Sequence, residues 1–546
     1  MKKALTTIII SVSLLPAMAQ NIADAARFGS TDIAGTARYR AMAGAFGALG
    51  GDATCMNDNP AGIGIFRGTS QLSFSPTLSV ARNKTLGSVT EKNKKSDMSV
   101  SNLAYIISIR PAGTDRLVNF NIGLGFNHSE GMNRKYKMTQ DNPKSSFGSY
   151  VANRANNALR YIGKFNDPDY LATDDAWDNY SVPLIALMGY DSYAIDNDID
   201  SDGNPSGVIA YNDAEGLQSF QRLNVTEKNR YDEYNINISG NWDDVFYAGM
   251  TLSIVDYNSI LTTDFYEDYD YNYEGDYTEY FNDLETQGSG VNLKFGLLYK
   301  PTQAWRLGFA FHTPTWFDMK DYYNGAMITN DPNCLDYSYA GNNGAYEYRY
   351  KYQTPWQIQA STAYVFGSKA ILSLEYDMKD YSNARYNSAY DDKSEYSGTN
   401  ELLKTYMQKQ HTIKAGLEYR LTNHFSLRAG YATQSSPFKQ VVLDNKLDGT
   451  QDDRTYMFDG STKPNYSLFD KTQYICGGLG WTNGNWIIDF AVMDRVQNEV
   501  IAAYPSTPAI FYNGSYSAEF KNYIAADHVK MKTNTLKYDL TIGYKF

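Results

Sequence analysis

The last nine residues, Tyr538-Asp539-Leu540-Thr541-Ile542-Gly543-Tyr544-Lys545-Phe546, alternate strictly between apolar or aromatic and polar or small side chains. A period of two marks a strand with one apolar and one polar face. The same pattern runs through Phe120, Ile122, Leu124 and Phe126, interleaved with Asn119, Asn121, Gly123, Gly125 and Asn127. Segments of this kind, about 9 to 14 residues long, predict fourteen strands. They lie near 70–82, 98–110, 117–128, 231–242, 245–258, 289–300, 303–314, 355–366, 369–380, 409–421, 424–434, 471–482, 485–497 and 535–546.

Tight turns at 111–115, Asp243-Asp244, Pro301-Thr302, Gly367-Ser368, Thr422-Asn423 and Asn483-Gly484 alternate with connections of tens of residues, the longest over 129–230. A β-sandwich has no reason to segregate loop length so regularly, whereas a membrane barrel does, with short inner turns and long outer loops. An even strand count permits closure, which leaves no unpaired backbone edge in lipid. The expected fold is therefore all-β: a 14-stranded antiparallel transmembrane β-barrel over 70–546, apolar set toward lipid and polar set toward the lumen. Within the longest loop, 145–162 and 182–188 read as helices, so that loop is expected to fold into a cap. The stretch 264–283 alternates acids with rings. It reads as a solvated outer hairpin with its rings packed on neighbours, or as an aromatic surface for ligands or partners.

Residues 20–69 do not read as strands. They hold Ala34-Gly35-Thr36-Ala37-Arg38, a run rich in Ala and Gly over 41–54, and Asn59-Pro60-Ala61-Gly62. Small residues let backbone approach backbone, and Pro60 with Gly62 suits a tight turn. A fourteen-stranded barrel is too wide for its own side chains to fill. The segment is therefore expected to plug the lumen as a hatch, with a surface arm as the competing reading. Candidate ligand-path residues are Asn59, Pro60, Ala61 and Gly62, with Gly47, Gly50 and Gly51 shaping the hatch. Gly123 and Gly125 strip side chains from the lumen face of one strand and are the candidate strand kink, with close packing as the plainer alternative.

Composition agrees: 47 Tyr, 25 Phe and 42 Gly in 546 residues suit interfacial rings and bending strands. Lys2 and Lys3, the apolar stretch 8–15 and Ala17-Met18-Ala19 read as a cleavable signal peptide over 1–19, with Gln20 as the mature start. Its apolar run is about half the roughly twenty residues of a membrane helix. Loss of Lys2 and Lys3 takes the formal charge from −12 to −14, which argues against a nucleic-acid partner. Cys55, Cys334 and Cys476 allow at most one disulfide and imply none. No Gly-x-Ser-x-Gly, His-Glu-x-x-His or Walker-type loop occurs, and His128, His312, His411, His424 and His528 are scattered, so no enzyme chemistry is expected. Asp198, Asp200 and Asp202 before Gly203 match the first half of a calcium loop. Ile209 stands where the bidentate Glu belongs, and a solvated acidic turn is the competing reading. No other cofactor is expected.

At Asn59-Pro60-Ala61-Gly62 and the run ending in Gly51-Asp52-Ala53, the chain resembles the FadL-type family of outer-membrane transporters for long-chain fatty acids and other hydrophobic compounds. Four later blocks extend the resemblance along nearly the whole mature chain. They are Tyr299 through Gly308 with His312-Thr313-Pro314; Leu374-Glu375-Tyr376-Asp377 with Asp380-Tyr381-Ser382; Gly416 through Leu421 with Leu427-Arg428-Ala429-Gly430-Tyr431 and Ser436-Pro437; and the C-terminal strand. The resemblance implies a monomeric fourteen-stranded barrel with an N-terminal hatch and passive uptake of a hydrophobic small molecule through the outer membrane. It also implies that terminal Phe546 is read by the barrel-assembly machinery and that membrane lipid surrounds the wall. The departures are in the loops, where the family holds its outer ligand site. A barrel that does not transport, serving instead in protein secretion or assembly, is the alternative. A hemin site has no obvious axial His.

Overall fold

The computed structural model describes residues 20–112, 116–129, 131–179, 181–210, 220–268, 277–330, 337–339, 346–390, 392, 395–444, 463–508, 523–524 and 526–546. The expected leader over 1–19, Cys334 and part of the 111–115 turn lie outside the described residues. Antiparallel pairing closes a fourteen-stranded barrel: β1 (Gln71–Leu86) pairs with β2 (Thr90–Ile109) on one side and β14 (Val529–Lys545) on the other. The strands between are β3 (Leu117–Ser129, resuming at Arg134–Asp141), β4 (Phe220–Trp242), β5 (Phe246–Asp268) and β6 (Tyr277–Tyr299). Then follow β7 (Trp305–His312 and Trp316–Thr329), β8 (Tyr346–Gln353 and Gln357–Phe366) and β9 (Ala370–Asp380 and Arg385–Ser388). β10 (Lys409–Arg420), β11 (Phe425–Gln434), β12 (Tyr466–Asn483) and β13 (Trp486–Ala502) complete the circuit.

Each expected strand has its counterpart, but several run far past the expected ends. β4, β5 and β6 have 23 residues each, and the expected loop over 83–97 is largely the β1–β2 hairpin, closing at 87–89. The reason is that alternation continues beyond the lipid with polar side chains outward, so the apolar face that marked each strand stops before the strand does. β7 and β8 break at Pro314 and Pro355, which have no N–H to give the ladder. Asp243 and Asp244 both take positive φ (54° and 58°), the type I′ geometry that joins two twisted strands by two residues.

Outward-facing side chains form an apolar belt: Leu72, Phe74 and Leu78 on β1, Ile236 and Ile238 on β4, Leu372 and Leu374 on β9 are all exposed. Rings fringe it. Trp242, Phe246, Tyr299, Trp305, Phe366, Phe425, Trp486 and Tyr544 lie at the short-turn end, and Tyr234, Trp316, Tyr376 and Tyr431 at the other. An exposed belt between two aromatic girdles is the surface of a barrel set in a bilayer. On β3, Asn119, Asn121 and Asn127 face inward and are buried, as their alternation requires. Phe546 and Ser70 exchange two backbone hydrogen bonds of 3.0 Å, fastening the C-terminus beside the entry of the first strand.

At the long-loop end, α3 (Phe147–Tyr161) and α4 (Leu184–Asp191) build a cap on the strand tips. Both fall within the expected helical stretches or beside them. Buried Glu267 from β5 accepts the Phe147 amide at 2.9 Å and the Gly148 amide at 3.3 Å, placing a carboxylate at the positive end of α3. Of the acid–ring stretch, 264–268 ends β5 and 277–283 begins β6, while 269–276 lie outside the described residues. Its inward rings, Phe265 and Tyr280, pack on Phe147, while Tyr266 and Tyr277 stack on each other at 5.5 Å.

Candidate functional site

The hatch, residues 20–69, lies inside the barrel and is almost wholly buried. It contains α1 (Ile22–Gly29), α2 (Ala37–Ala41) and 3₁₀ turns at Ala53–Met56 and Pro60–Ile65. Asn59 caps the second turn: its Oδ1 accepts from the Ala61 amide at 3.2 Å, and Pro60 fills the first position, where no N–H is needed. Its Nδ2 donates to the Gly47 carbonyl at 2.6 Å and to the Leu297 carbonyl of β6 at 3.1 Å. One side chain therefore ties the motif to the glycine-rich run and to the barrel wall.

Gly50 and Gly62 pack back to back. A Cβ on Gly62 would lie 3.0 Å from the Gly50 Cα, and Gly50 itself takes a φ of +64°. The Gly51 amide donates to the Gly62 carbonyl at 2.9 Å, and the Gly47 amide to Glu375 Oε2 at 2.6 Å. Ala61 is buried against Tyr247 and Leu298.

Charged tethers surround this backbone core. Arg40 pairs with Asp539, Arg38 with Glu418 at 2.9 Å, Asp32 with Lys537 at 2.7 Å, and Asp24 with Lys463 at 2.6 Å. Asp58 accepts from Gln359 at 2.7 Å and Tyr39 at 3.2 Å, and Arg306 donates to the Leu49 carbonyl at 2.9 Å. Buried charges persist only when paired, and each of the four ion pairs joins hatch to wall or to an adjoining loop.

No protein-family model and no curated protein matches the chain. Among solved structures, a Pseudomonas aeruginosa FadL homologue aligns over 94% of this chain and 99% of its own, with a TM-score of 0.50 and 11% identity. The fold is FadL-type. The toluene transporters TodX of Pseudomonas putida and TbuX of Ralstonia pickettii align over the same 94% of this chain and 99% of theirs, at TM-scores of 0.48 and 0.47 and identities of 12% and 14%.

In this FadL-type barrel the seven hatch candidates form one cluster around Asn59, so their proximity is real, while a ligand role is a separate question. Gly123 and Gly125 mark no kink, and the close-packing alternative describes them. Both sit in an unbroken ladder with both β2 and β4, and the space they leave is filled by Met56 of the hatch. The break in β3 falls later, at Gly131–Asn133, after which the strand resumes at Arg134 on the inner side of the β1–β2 hairpin. Asn83 and Thr85 of β1 donate to the carbonyls of Lys135 and Lys137 there. The acidic triad also departs from a calcium cage. Asp198 Oδ1 accepts from the Ile199 amide, and Asp200 Oδ1 from the amides of Asp202 and Asn204, so the carboxylates serve a hairpin turn. No group of three His, Cys, Asp or Glu side chains able to hold a metal occurs among the described residues. Cys55 and Cys476 are free and buried.

Sequence reasoning missed the wall side of the hatch contact. A Cβ on Gly249 would lie 2.4 Å from the Pro60 carbonyl oxygen, one on Gly308 2.2 Å from that of Gly47, and one on Gly430 2.4 Å from the Ala43 amide nitrogen. The signal was available, because each glycine stands at an inward position of an otherwise side-chain-bearing strand.

Two environments meet between the hatch and the wall. A polar cavity of about 150 Å³ is lined by Asp58, Glu233, Lys294, Asp377, Lys379 and Lys414, among others. Beside it an aromatic cluster surrounds α1, with Phe28 at 5.5 Å from the rings of both Tyr257 and Tyr352. Hydroxyls at its rim hold α1 from outside: Tyr352 donates to the Ala25 carbonyl, Tyr386 to that of Asn21 and Tyr396 to Gln20 Oε1.

Proposed function

We propose that this chain is an outer-membrane channel for passive entry of hydrophobic small molecules, with long-chain fatty acids a candidate class and the hatch as its gate. The observation that carries the reading is the aromatic cluster around α1, a packed apolar region enclosed by the barrel where the plug meets the wall. An apolar molecule that displaced Phe28 there would gain about 25 cal/mol for each Å² it buries, less the cost of ordering it. Moderate affinity follows, and a channel needs it, because tight binding halts release.

The polar cavity next to the cluster gives such a molecule no reason to continue down the axis. Met132, in the break of β3, belongs to the same apolar cluster, so the break offers a sideways continuation of the apolar surface. The FadL-type fold supports the reading, as do the matching hatch motif and its ties to the wall.

The test is uptake of a radiolabelled long-chain fatty acid and of an apolar aromatic hydrocarbon into vesicles holding the purified full chain. Native mass spectrometry of the detergent-solubilised protein would accompany it, both done on the parent and on Asn59→Ala/Pro60→Ala. Uptake above protein-free vesicles, a co-purifying apolar ligand in the parent, and altered uptake in the variant are expected. An empty parent that passes neither compound would overturn the proposal.

A further inference from the structure

Outward positions on β1 run Leu72, Phe74, Pro76, Leu78 and Val80, then change abruptly to Arg82 and Lys84. The neighbouring strands change at the same height. Lys94 and Lys92 of β2 face Arg82 and Lys84 across one side, and Lys532 of β14 faces Lys84 across the other, with Lys530 one step above. Six cations therefore share the outer surface of three adjacent strands. With strands about 4.8 Å apart and tilted about 40°, Arg82 and Lys84 rise about 5 and 10 Å above Val80, within the headgroup layer of a bilayer whose hydrocarbon ends at Val80.

The side chains of all six are without ion-pair or hydrogen-bond partners among the described residues. Arg230 of β4, by contrast, is paired, holding Asp256 at 2.7 Å and Asp232 at 3.4 Å. β5 and β6, four and five strands round the wall from β1, instead turn Asp264, Asp283 and Glu285 outward. In a chain of formal charge −12, six exposed cations gathered without partners on three adjacent strands need a reason. Protection of a free edge accounts for part of it, since Thr90–Ser101 of β2 pairs with β1 alone and lysines discourage edge-to-edge association. It does not account for Arg82, Lys84, Lys530 and Lys532, whose strands are paired on both sides.

We infer that this arc binds the phosphorylated headgroups of outer-leaflet lipid A. The field lies at phosphate height, faces lipid rather than the lumen, and gathers enough cations over two registers to meet more than one phosphate. It borders the free edge of β2, so a bound lipid would cover the flank where β3 leaves the wall. The inference rests on the outer-membrane placement proposed above, not on what passes through the lumen.

The test is native mass spectrometry and titration of the full chain in detergent with diphosphoryl lipid A, monophosphoryl lipid A, phosphatidylcholine and inorganic phosphate. Variants are R82Q/K84Q/K92Q/K94Q and, as a control on another arc, R349Q/K351Q/R385Q. Heat-modifiable gel migration reports that each barrel is folded. Expected are retention of diphosphoryl over monophosphoryl lipid A, binding that falls as salt is raised, a loss of about tenfold or more in the first variant, and little change in the control. Equal retention by the first variant, an equal loss in the control, equal retention of phosphatidylcholine, or inorganic phosphate displacing lipid A at equal concentration would overturn it. Each readout is independent of transport, so failure of the channel reading leaves this result interpretable.

Discussion

Asn59 and Gly296 share one space: a Cβ built on Gly296 would stand 2.0 Å from Asn59 Oδ1 and 2.7 Å from the Ala61 nitrogen. The wall is hollowed where the hatch motif rests, and the hollow lets Asn59 reach the neighbouring Leu297 carbonyl. Substituting Gly296→Ala should push Asn59 off its partners and loosen the hatch by about 1–3 kcal/mol, the cost of stranding buried polar groups. Hydrogen exchange should rise over 44–66 while the barrel keeps its heat-modifiable migration. Gly477→Ala, whose added Cβ meets nothing closer than 3.9 Å, is the control. Equal exchange in both variants would remove the argument.

Arg40 and Asp539 form an ion pair with side chains 2% and 0% exposed, and Thr77 bonds the same carboxylate. Truncating one partner leaves a buried charge without compensation. Arg40→Ala should therefore cost about 3–5 kcal/mol. The double variant Arg40→Met/Asp539→Asn should recover much of that loss, since neither charge then needs solvating. Thermal unfolding in detergent of the parent, both single variants and the double variant gives the coupling directly. Additive losses would mean that the pair does not act as a unit.

Met56 occupies the room left by Gly123, where a Cβ would lie 2.7 Å from its Sδ. Overpacking predicts that Gly123→Ala destabilises by about 1–3 kcal/mol. Met56→Ala should cost about 2–5 kcal/mol through the cavity it opens. In Gly123→Ala/Met56→Ala the new methyl enters that cavity, so the combined loss should be smaller than the sum. A kink role for Gly123 would instead leave its effect unchanged by Met56.

The barrel was legible because alternation is local: Phe120 and Asn121 announce their faces without reference to any other strand. The strand ends were not, since above Val80 the outward positions turn polar while Asn83 and Thr85 still face inward, and only pairing shows that the strand continues. The hatch motif was legible as small residues in a row. Its charged tethers were not, although Arg306, Glu375 and Glu418 all stand in the blocks that carried the family resemblance. Glu375 meets Gly47 and Glu418 meets Arg38 across more than three hundred residues, and no spacing rule reaches that far. The kink was misplaced for a related reason: glycine marks room, and which neighbour fills the room is decided by the hatch.

Asp191 ends α4 of the cap, where burial pushes its carboxyl up to about 6 and the helix C-terminus opposes a negative charge. A folded value above the ordinary 3.8 means that the folded cap favours the neutral acid. That stabilisation is complete below about pH 4 and is lost as pH rises through about 6. Asp191→Asn keeps the neutral shape at all pH. It should leave the cap unchanged at about pH 4 and strengthen it at about pH 7.5, by no more than about 1 kcal/mol given the group's half exposure. Hydrogen exchange over 184–195 in parent and variant at the two pH values measures the difference. A gain of the same size at both would assign the effect to packing and not to ionisation.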